Sequence, residues 1–325
     1  IVLQNLLRDK LNFNGVIVTD ASHMVAMTSA MKRRDMLPTA IAAGCDLFLF
    51  FNDPEEDFKW MMEGYEKGII TEQRLEEALT RILGLKASLG LHAKAKTEIL
   101  QPKEVAMAKM RTEKNMAIAP EISDKAITLV KNNQELLPIT PEKHKRVLLV
   151  EVKGPESAYG KLMAAMSAGK KKPIELMKEL LEKAGFEVEI YESPIDKMLK
   201  LPPQELLGAI MNVYAQKRPI SDLTNNYDLI INVADVPPTT DQRIQWAPLK
   251  GTPDIPFYVN EVPTIFISLQ CPFHLADVPQ VKTYINAYDS HDHTVSAIVD
   301  KLLGRSEFKG VSPVDAFCGF LDTQV

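Results

Sequence analysis

The chain has 325 residues, enough for two domains with separate cores, and its 46% apolar and 25% charged residues are typical of a soluble globular protein. No apolar run is long enough to span a bilayer, so we expect no membrane partner. The net charge of −5 disfavours nucleic acid as a partner and suits a small or neutral ligand.

Cysteine usage and the first residues bear on the cellular compartment. Cys45, Cys271 and Cys318 are odd in number and widely spaced, so they predict neither a disulfide framework nor a metal site. A reducing, cytoplasmic location is the default expectation. The chain opens on the helical pattern IVLQNLLRDKL without a cap, so we expect an N-terminal portion, with any signal peptide, to be missing.

Residues 1–93 alternate helices and strands in the rhythm of a parallel α/β unit. Residues 16–19 are too uniformly apolar for a half-exposed strand, which predicts a buried parallel strand. The other predicted elements are a helix over 1–11, a helix over 38–44 closed by Gly44, a strand over 45–51, a helix opened by Asn52-Asp53-Pro54, and a helix from Thr71 to near Gly90.

The rest of the chain divides into a linker and a second domain. Residues 94–123 are rich in Lys, Met and Ala and lack strand signals, which predicts a linker with a helical part. Residues 124–325 alternate again, and this pattern predicts a doubly wound α/β sandwich. Its predicted strands cover 146–152, 186–191, 227–233, 264–269 and 281–287, and its predicted helices cover 173–185, 204–217 and 294–304.

Several segments resemble glycoside hydrolase family 3 in order and spacing. They are LLRDKLNFNGVIVTDASHM, AIAAGCDLFLFFNDPEE and GIITEQRLEEALTRILGLKASLGL, followed by ISDKAITLVKNNQELLPI and PTIFISLQCPFHL. Within the family, the chain is most similar to bacterial β-N-acetylglucosaminidase-like members. The resemblance implies an α/β protein with the C-terminal part of a (β/α)8 TIM barrel over 1–93, a linker over 94–123 and a doubly wound α/β sandwich domain over 124–325.

Asp20 follows the predicted strand over 16–19, and the chemistry of a (β/α)8 barrel lies at the carboxyl ends of its strands. The resemblance implies that Asp20 is the nucleophile of a retaining glycosidase, which forms a covalent glycosyl-enzyme. From the local sequence alone, a turn or N-cap carboxylate explains Asp20 equally well. The family's acid/base is a histidine with an aspartate partner on an earlier barrel loop, so we expect it outside this chain.

Other residues of the same region are secondary candidates. His23 and Met24 are candidate substrate-binding residues, with a supporting loop role for His23 and core packing for Met24 as the alternatives. Asp46 is expected to be a structural hydrogen-bonding group. The basic run over 32–34 is expected to be solvated, with contact to an anionic sugar substituent as the alternative. Trp246 is interpreted either as a sugar contact or as a packing residue.

The resemblance predicts retaining hydrolysis of a carbohydrate substrate, a terminal β-linked N-acetylglucosamine or a related sugar, without a metal or organic cofactor. The chain alone is expected to be inactive, because only two of a barrel's eight strands are present. The N-terminal barrel segment could then be a separate chain. Three alternatives remain open: a β-glucosidase or β-xylosidase, a glycoside phosphorylase that uses phosphate in place of water, and a non-catalytic carbohydrate-binding or assembly fragment.

Overall fold

The computed structural model describes residues 2–110, 112–152, 171–198, 200–236, 244 and 252–325, and only the backbone at 195, 196 and 214. The chain divides into two compact units, Ile1–Lys109 and Met110–Val325. Both combine helices with parallel strands, which confirms the predicted α/β class. The boundaries at residues 93 and 123 stay a prediction. In the part of the chain so described, no helix is both long and apolar enough to cross a membrane.

The first unit contains a two-stranded parallel sheet, formed by β1 (Val18–Ala21) and β2 (Leu47–Leu49). Its first helix, Val2–Lys10, has hydrogen bonds that span five residues. The other helices that begin in this unit are Val25–Ala30, Arg33–Ala42, Pro54–Glu66, Glu72–Ser88, Lys96–Ile99 and Lys103–Met110. Val18 pairs with Leu47 and Ala21 pairs with Leu49, so β1 carries one extra residue between the two pairs. This bulge was not predicted, and bulges commonly redirect a side chain near a functional site.

The two faces of this sheet differ in burial. One face packs on the helices, in a core of Ile17, Ile41, Cys45 and Ile70 joined by the partly buried Phe48. The other face, which we call the open face, consists of Val18, Leu47 and Leu49, and Val18 is 46% exposed. Alternation of side chains along each strand explains the difference, because successive residues point to opposite sides.

Two helix starts in the first unit follow the sequence signals. The Asp53 carboxylate accepts a hydrogen bond from the Glu56 amide at 2.8 Å, and Pro54 occupies the first helical position. Thr71 Oγ1 accepts a hydrogen bond from the Arg74 amide at 3.2 Å and caps the next helix. Both predicted starts are confirmed.

The predicted helix over 38–44 begins earlier than expected, at Arg33, and ends at Ala42. Pro38 therefore lies inside the helix rather than at its start. Helix Pro54–Glu66 packs against this position with Gly64, which is buried and has no Cβ to overlap the Pro38 ring. The pair Pro38 and Gly64 thus sets how closely the two helices approach.

The second unit contains one six-stranded sheet with the order β3-β8-β7-β6-β4-β5. β3 pairs antiparallel with β8 and the other pairs are parallel. The strands are β3 (Thr128–Asn132), β4 (Arg146–Val152), β5 (Glu187–Ile190), β6 (Leu229–Ala234), β7 (Thr264–Ser268) and β8 (Thr283–Asn286). The helices are Glu113–Ala126, Pro173–Lys183, Pro194–Met198, Pro203–Ala215, Ser221–Thr224 and Asp292–Leu302, with a 3-10 turn at His274–Asp277.

The central strands of this sheet are fully buried, because helices and loops cover both faces. All five predicted strands are present within about two residues of their expected bounds. β3 was not predicted. It is a half-buried antiparallel edge strand, and its partner β8 lies far away in the sequence.

Candidate functional site

Asp20 lies in the bulge of β1, within the strand rather than after it. Its side chain is exposed, and Oδ1 accepts a hydrogen bond from the backbone amide of Ala21 at 2.7 Å. The next helix, Val25–Ala30, begins after Met24 and has no side-chain cap. The alternative of an N-cap carboxylate is therefore wrong, and the structure presents Asp20 as an accessible carboxylate at the carboxyl end of a parallel strand.

A buried polar cluster fixes the turn immediately after Asp20. The Arg33 guanidinium donates two hydrogen bonds to Ser22, from Nη1 to the carbonyl oxygen and from Nη2 to Oγ, both at 2.9 Å. The same guanidinium forms a two-point ion pair with Asp57, at 3.1 Å from Nε to Oδ1 and 2.6 Å from Nη2 to Oδ2. We call Ser22, Arg33 and Asp57 the clamp.

The clamp also holds the loop that follows β2. Asp57 Oδ2 accepts a hydrogen bond from the Asn52 amide at 2.8 Å, and Ser22 Oγ forms a short hydrogen bond with the Phe50 carbonyl. Arginine has donors only, so Ser22 Oγ must accept from Arg33 and donate to Phe50. The segments that follow the two strands are therefore fastened to each other.

His23 and Met24 lie in the turn that follows β1, and both side chains are exposed. The ring contact of His23 is with Phe50, at 6.5 Å between centroids and 37° between planes. Met24 occupies the residue before helix Val25–Ala30, and its exposure excludes core packing within the first unit. The geometry places both side chains in the turn after Asp20, and their substrate-binding roles stay a prediction.

The chain is similar to known proteins, both in this region and along its whole length. Residues 1–85 match the model of the Glycosyl hydrolase family 3 N terminal domain. Over 327 aligned residues, the chain is 38% identical to "Beta-N-acetylglucosaminidase/beta-glucosidase" of Cellulomonas fimi, across 100% of this chain and 53% of that protein. The chain belongs to glycosyl hydrolase family 3. The predicted family membership is confirmed.

Solved structures agree with this assignment to family 3. A structure described as "Beta-glucoside phosphorylase BglX" has a TM-score of 0.80 and 39% identity, over 99% of this chain and 53% of that chain. A family 3 beta-N-acetylglucosaminidase from Paenibacillus sp. str. FPU-7 has a TM-score of 0.64 at 24% identity, over 97% of this chain and 54% of that chain, and supports the fold alone. The family 3 chain spans about half the length of these relatives.

The basic run over 32–34 is exposed to solvent at Lys32 and Arg34 but not at Arg33. Arg33 is held in the clamp, and Arg34 Nε donates a hydrogen bond to Glu63 at 2.8 Å. The hydrogen bond from Arg34 holds the pKa of the Glu63 carboxyl below its ordinary value. The expectation of a solvated run is therefore wrong for Arg33, which the clamp removes from solvent, and holds for Arg34, whose side chain stays exposed while it pairs with Glu63 on helix Pro54–Glu66.

Asp46 has the structural role that the sequence predicted. Its Oδ2 accepts a hydrogen bond from the Ile17 amide at 2.9 Å and a charged one from Arg8 at 2.6 Å. Oδ1 forms a second, short ion pair with Arg74, and the Asp46 side chain is fully buried. Burial first, and then the neighbouring Asp46 charge, raise the pKa of the Cys45 thiol, so Cys45 is an unreactive core residue.

The residues that hold the site together were not identified from the sequence. Ser22 and Asp57 lack a local signal, because their shared partner Arg33 lies 11 and 24 residues away. Phe50 was counted only as part of a strand, yet it has a positive φ of 50° and lies beyond β2. Trp246, which the sequence suggested as a sugar contact or a packing residue, lies outside the described residues.

Proposed function

We propose that this chain supplies the nucleophile of a retaining, glycoside-cleaving family 3 enzyme, and that Asp20 is this nucleophile. The observation that carries the proposal is the exposed Asp20 carboxylate, in a strand bulge at the carboxyl end of β1, within the segment matched to the family. On this proposal, β1 and β2 are the last two strands of a (β/α)8 barrel.

The proposed reaction has two steps. An Asp20 carboxylate oxygen forms a bond to the anomeric carbon while the bond to the leaving oxygen breaks, and that oxygen takes a proton from a general acid. Water, after losing a proton to the same group acting as base, then attacks the anomeric carbon and frees the carboxylate. We place the acid/base outside this chain.

The proposed substrate is a terminal β-linked N-acetylglucosamine or a related sugar. The Cellulomonas fimi relative, named for both N-acetylglucosaminidase and glucosidase activities, supports this choice and keeps the β-glucosidase alternative in view. A weaker relative from Formosa agariphila is called a putative beta-xylosidase, at 24% identity over 153 residues. A cytoplasmic location stays a prediction of the sequence.

A second candidate is phosphorolysis, in which phosphate replaces water in the second step. The 39% identity and TM-score of 0.80 with a structure described as a beta-glucoside phosphorylase favour this candidate. The phosphate oxygen would attack the anomeric carbon of the glycosyl-enzyme and release a sugar 1-phosphate. Both candidates share Asp20 and the first step.

The open face of the first unit supports the proposed missing partner. Val18, Leu47 and Leu49 leave apolar surface in contact with solvent, and barrel interiors are normally filled with packed apolar side chains. We propose that the remaining barrel strands cover this face, either in the same polypeptide or as a separate chain.

The test uses a protein of the relatives' full length that contains this chain, called the full-length protein below. It is incubated with an activated 5-fluoro glycoside that carries a 2-acetamido group, and also with its glucose counterpart. Intact mass and peptide mapping then locate any covalent label. We expect the label on Asp20 and none in the Asp20→Asn variant, and the preferred sugar identifies the substrate.

Turnover with and without inorganic phosphate separates the two candidates. Phosphate-independent release of the free sugar supports hydrolysis, whereas a sugar 1-phosphate formed only with phosphate supports phosphorolysis. A label on a different carboxylate, or normal turnover by Asp20→Asn, would contradict the assignment of the nucleophile. An active protein without any covalent intermediate would contradict a carboxylate nucleophile, because a 2-acetamido sugar can also retain its configuration through its own acetamido group.

A further inference from the structure

Phe50 has a backbone conformation that bulky residues rarely adopt. Its φ is 50°, in the left-handed region that favours glycine, and the residue directly follows β2. The residue is 59% exposed, so burial of the ring does not compensate for the conformation within the first unit. Strained residues of this kind cluster at functional sites, where the surrounding structure holds them in place.

The clamp holds the backbone at Phe50 and just after it. Ser22 Oγ donates to the Phe50 carbonyl, and Ser22 itself is completely buried and receives two hydrogen bonds from Arg33. Two residues further along, the Asn52 amide donates to Asp57, the other partner of Arg33. One partly buried arginine therefore fixes both the turn after Asp20 and the backbone that presents the Phe50 ring.

The strand register places Phe50 farther out along the strands than Asp20. Ala21 pairs with Leu49, so Asp20 precedes this pair by one residue and Phe50 follows it by one. Two residues along a strand correspond to about 7 Å, and neighbouring strands lie about 5 Å apart. The Phe50 ring also contacts His23, in the turn immediately after Asp20.

We propose that Phe50 contacts the leaving group of the substrate and selects leaving groups that contain a ring. This inference rests on the proposed function of Asp20. In a displacement by Asp20, the leaving group departs from the side of the sugar away from the carboxylate, and so extends away from Asp20. Phe50 offers an aromatic surface in the outward direction, where the apolar face of an aryl group or of a second sugar ring can stack on it.

The test compares two substrates of the full-length protein that share one sugar. One has a 4-nitrophenyl leaving group and the other has fluoride, which has no ring to contact. We expect Phe50→Ala to lower kcat/KM about threefold to tenfold for the 4-nitrophenyl glycoside and to leave kcat/KM for the fluoride unchanged. Phe50→Trp keeps an aromatic surface and should retain activity on both substrates.

Two further variants separate the loss of the ring contact from effects on folding. Phe50→Gly suits the left-handed backbone and should show the same selective loss as Phe50→Ala. Phe58→Ala removes another exposed phenylalanine, 68% accessible on helix Pro54–Glu66, and should change neither kcat/KM.

Covalent labelling of Asp20 distinguishes the two proposals. If wild type and Phe50→Ala are both labelled on Asp20 but the ratio of the two kcat/KM values does not change, the role of Phe50 is wrong and Asp20 stands. Equal losses on both substrates would also overturn the role of Phe50, since they indicate a distorted site. If wild-type protein cleaves neither substrate and is not labelled, the proposed function fails and the role of Phe50 fails with it.

Discussion

Arg33 and Asp57 form a two-point ion pair, with Nε 3.1 Å from Oδ1 and Nη2 2.6 Å from Oδ2. The Asp57 side chain is only 7% exposed, and the same guanidinium also donates to the buried Ser22. This fork geometry belongs to arginine, because lysine is a single point charge and cannot donate to both carboxylate oxygens and to Ser22 in one plane. The pair links helix Arg33–Ala42 to helix Pro54–Glu66 and to the turn after Asp20.

We expect Arg33→Ala to lower the free energy of unfolding of the first unit by about 3 kcal/mol, because Asp57 would be left buried and unpaired. Arg33→Lys should recover less than half of this loss. Urea unfolding can be followed by the fluorescence of Trp60, on the same helix as Asp57, in a Trp246→Phe background. Arg34→Ala is the control. Its pair with Glu63 is more exposed and should contribute much less, so equal losses would contradict the structural role of Arg33 in the clamp.

Asp46 leads to a second prediction, at a site away from the chemistry. Asp46→Asn removes the charge that Arg8 and Arg74 share and turns amide donors toward them, so we expect a loss of about 3 kcal/mol. Asp35→Asn is the matched control, since Asp35 is exposed in the first turn of helix Arg33–Ala42. Trp60 fluorescence in the same background measures both variants, and equal losses would argue against a structural role for Asp46.

The contact between Gly64 and Pro38 gives a third prediction, with an internal control of opposite sign. A Cβ at Gly64 would overlap the Pro38 ring, so Gly64→Ala should destabilise the first unit by about 1–3 kcal/mol despite alanine's higher helix propensity. Gly84, inside helix Glu72–Ser88, has open space where its Cβ would lie. Gly84→Ala should therefore stabilise the helix by about 0.5–1 kcal/mol. Thermal unfolding checks both signs, and a stabilising Gly64→Ala would show that the helices separate easily.

The sequence predicted the strands that consist of continuous buried apolar residues. It did not predict the strand whose partner lies far away in the sequence. β4, β6 and β7 are runs of apolar residues, and their bounds followed from the sequence. In β3, buried and half-buried side chains alternate only partly. Its pairing with β8 makes it a strand, and a short stretch of sequence does not contain that partner. Helix Arg33–Ala42 begins five residues before its proline, because packing against Gly64 outweighs the local preference for proline at a first turn.

The proposed nucleophile could be chosen from the sequence, but the residues that hold its surroundings in place could not. Asp20 followed from the strand pattern and the family resemblance. Its bulge depends on the register between β1 and β2, which single-strand patterns do not encode. Arg33 looked like part of a solvated basic run because its partner Asp57 lies on another helix, and only the fold brings the two together.

Asp235, in the second unit, provides a pH-dependent prediction. It follows β6, and its Oδ1 accepts a hydrogen bond from Gln270 at 2.6 Å. Burial raises the pKa of the Asp235 carboxyl above its ordinary value of 3.8, with smaller contributions of the same sign from Glu151 and Asp289, while hydrogen bonds from Gln270 and Ser290 oppose the shift. The folded state therefore holds this proton more tightly than the unfolded state does.

The sign of the effect on stability follows from this difference in proton binding. Between the unfolded and the raised folded pKa, the folded state binds more protons, so the contribution of Asp235 to the free energy of unfolding falls as pH rises. Asp235→Asn keeps an acceptor for Gln270 and removes the charge, so its stability relative to wild type should increase from about pH 4 to about pH 7. Asp228→Asn should show the opposite slope, but below about pH 4, because its hydrogen bonds with Arg146 lower the pKa of Asp228 below its ordinary value of 3.8. Urea unfolding from about pH 2 to about pH 7, followed by Trp246 in a Trp60→Phe background, measures both slopes, each in its own pH window. Slopes of the same sign would mean that burial does not govern the ionisation of Asp235.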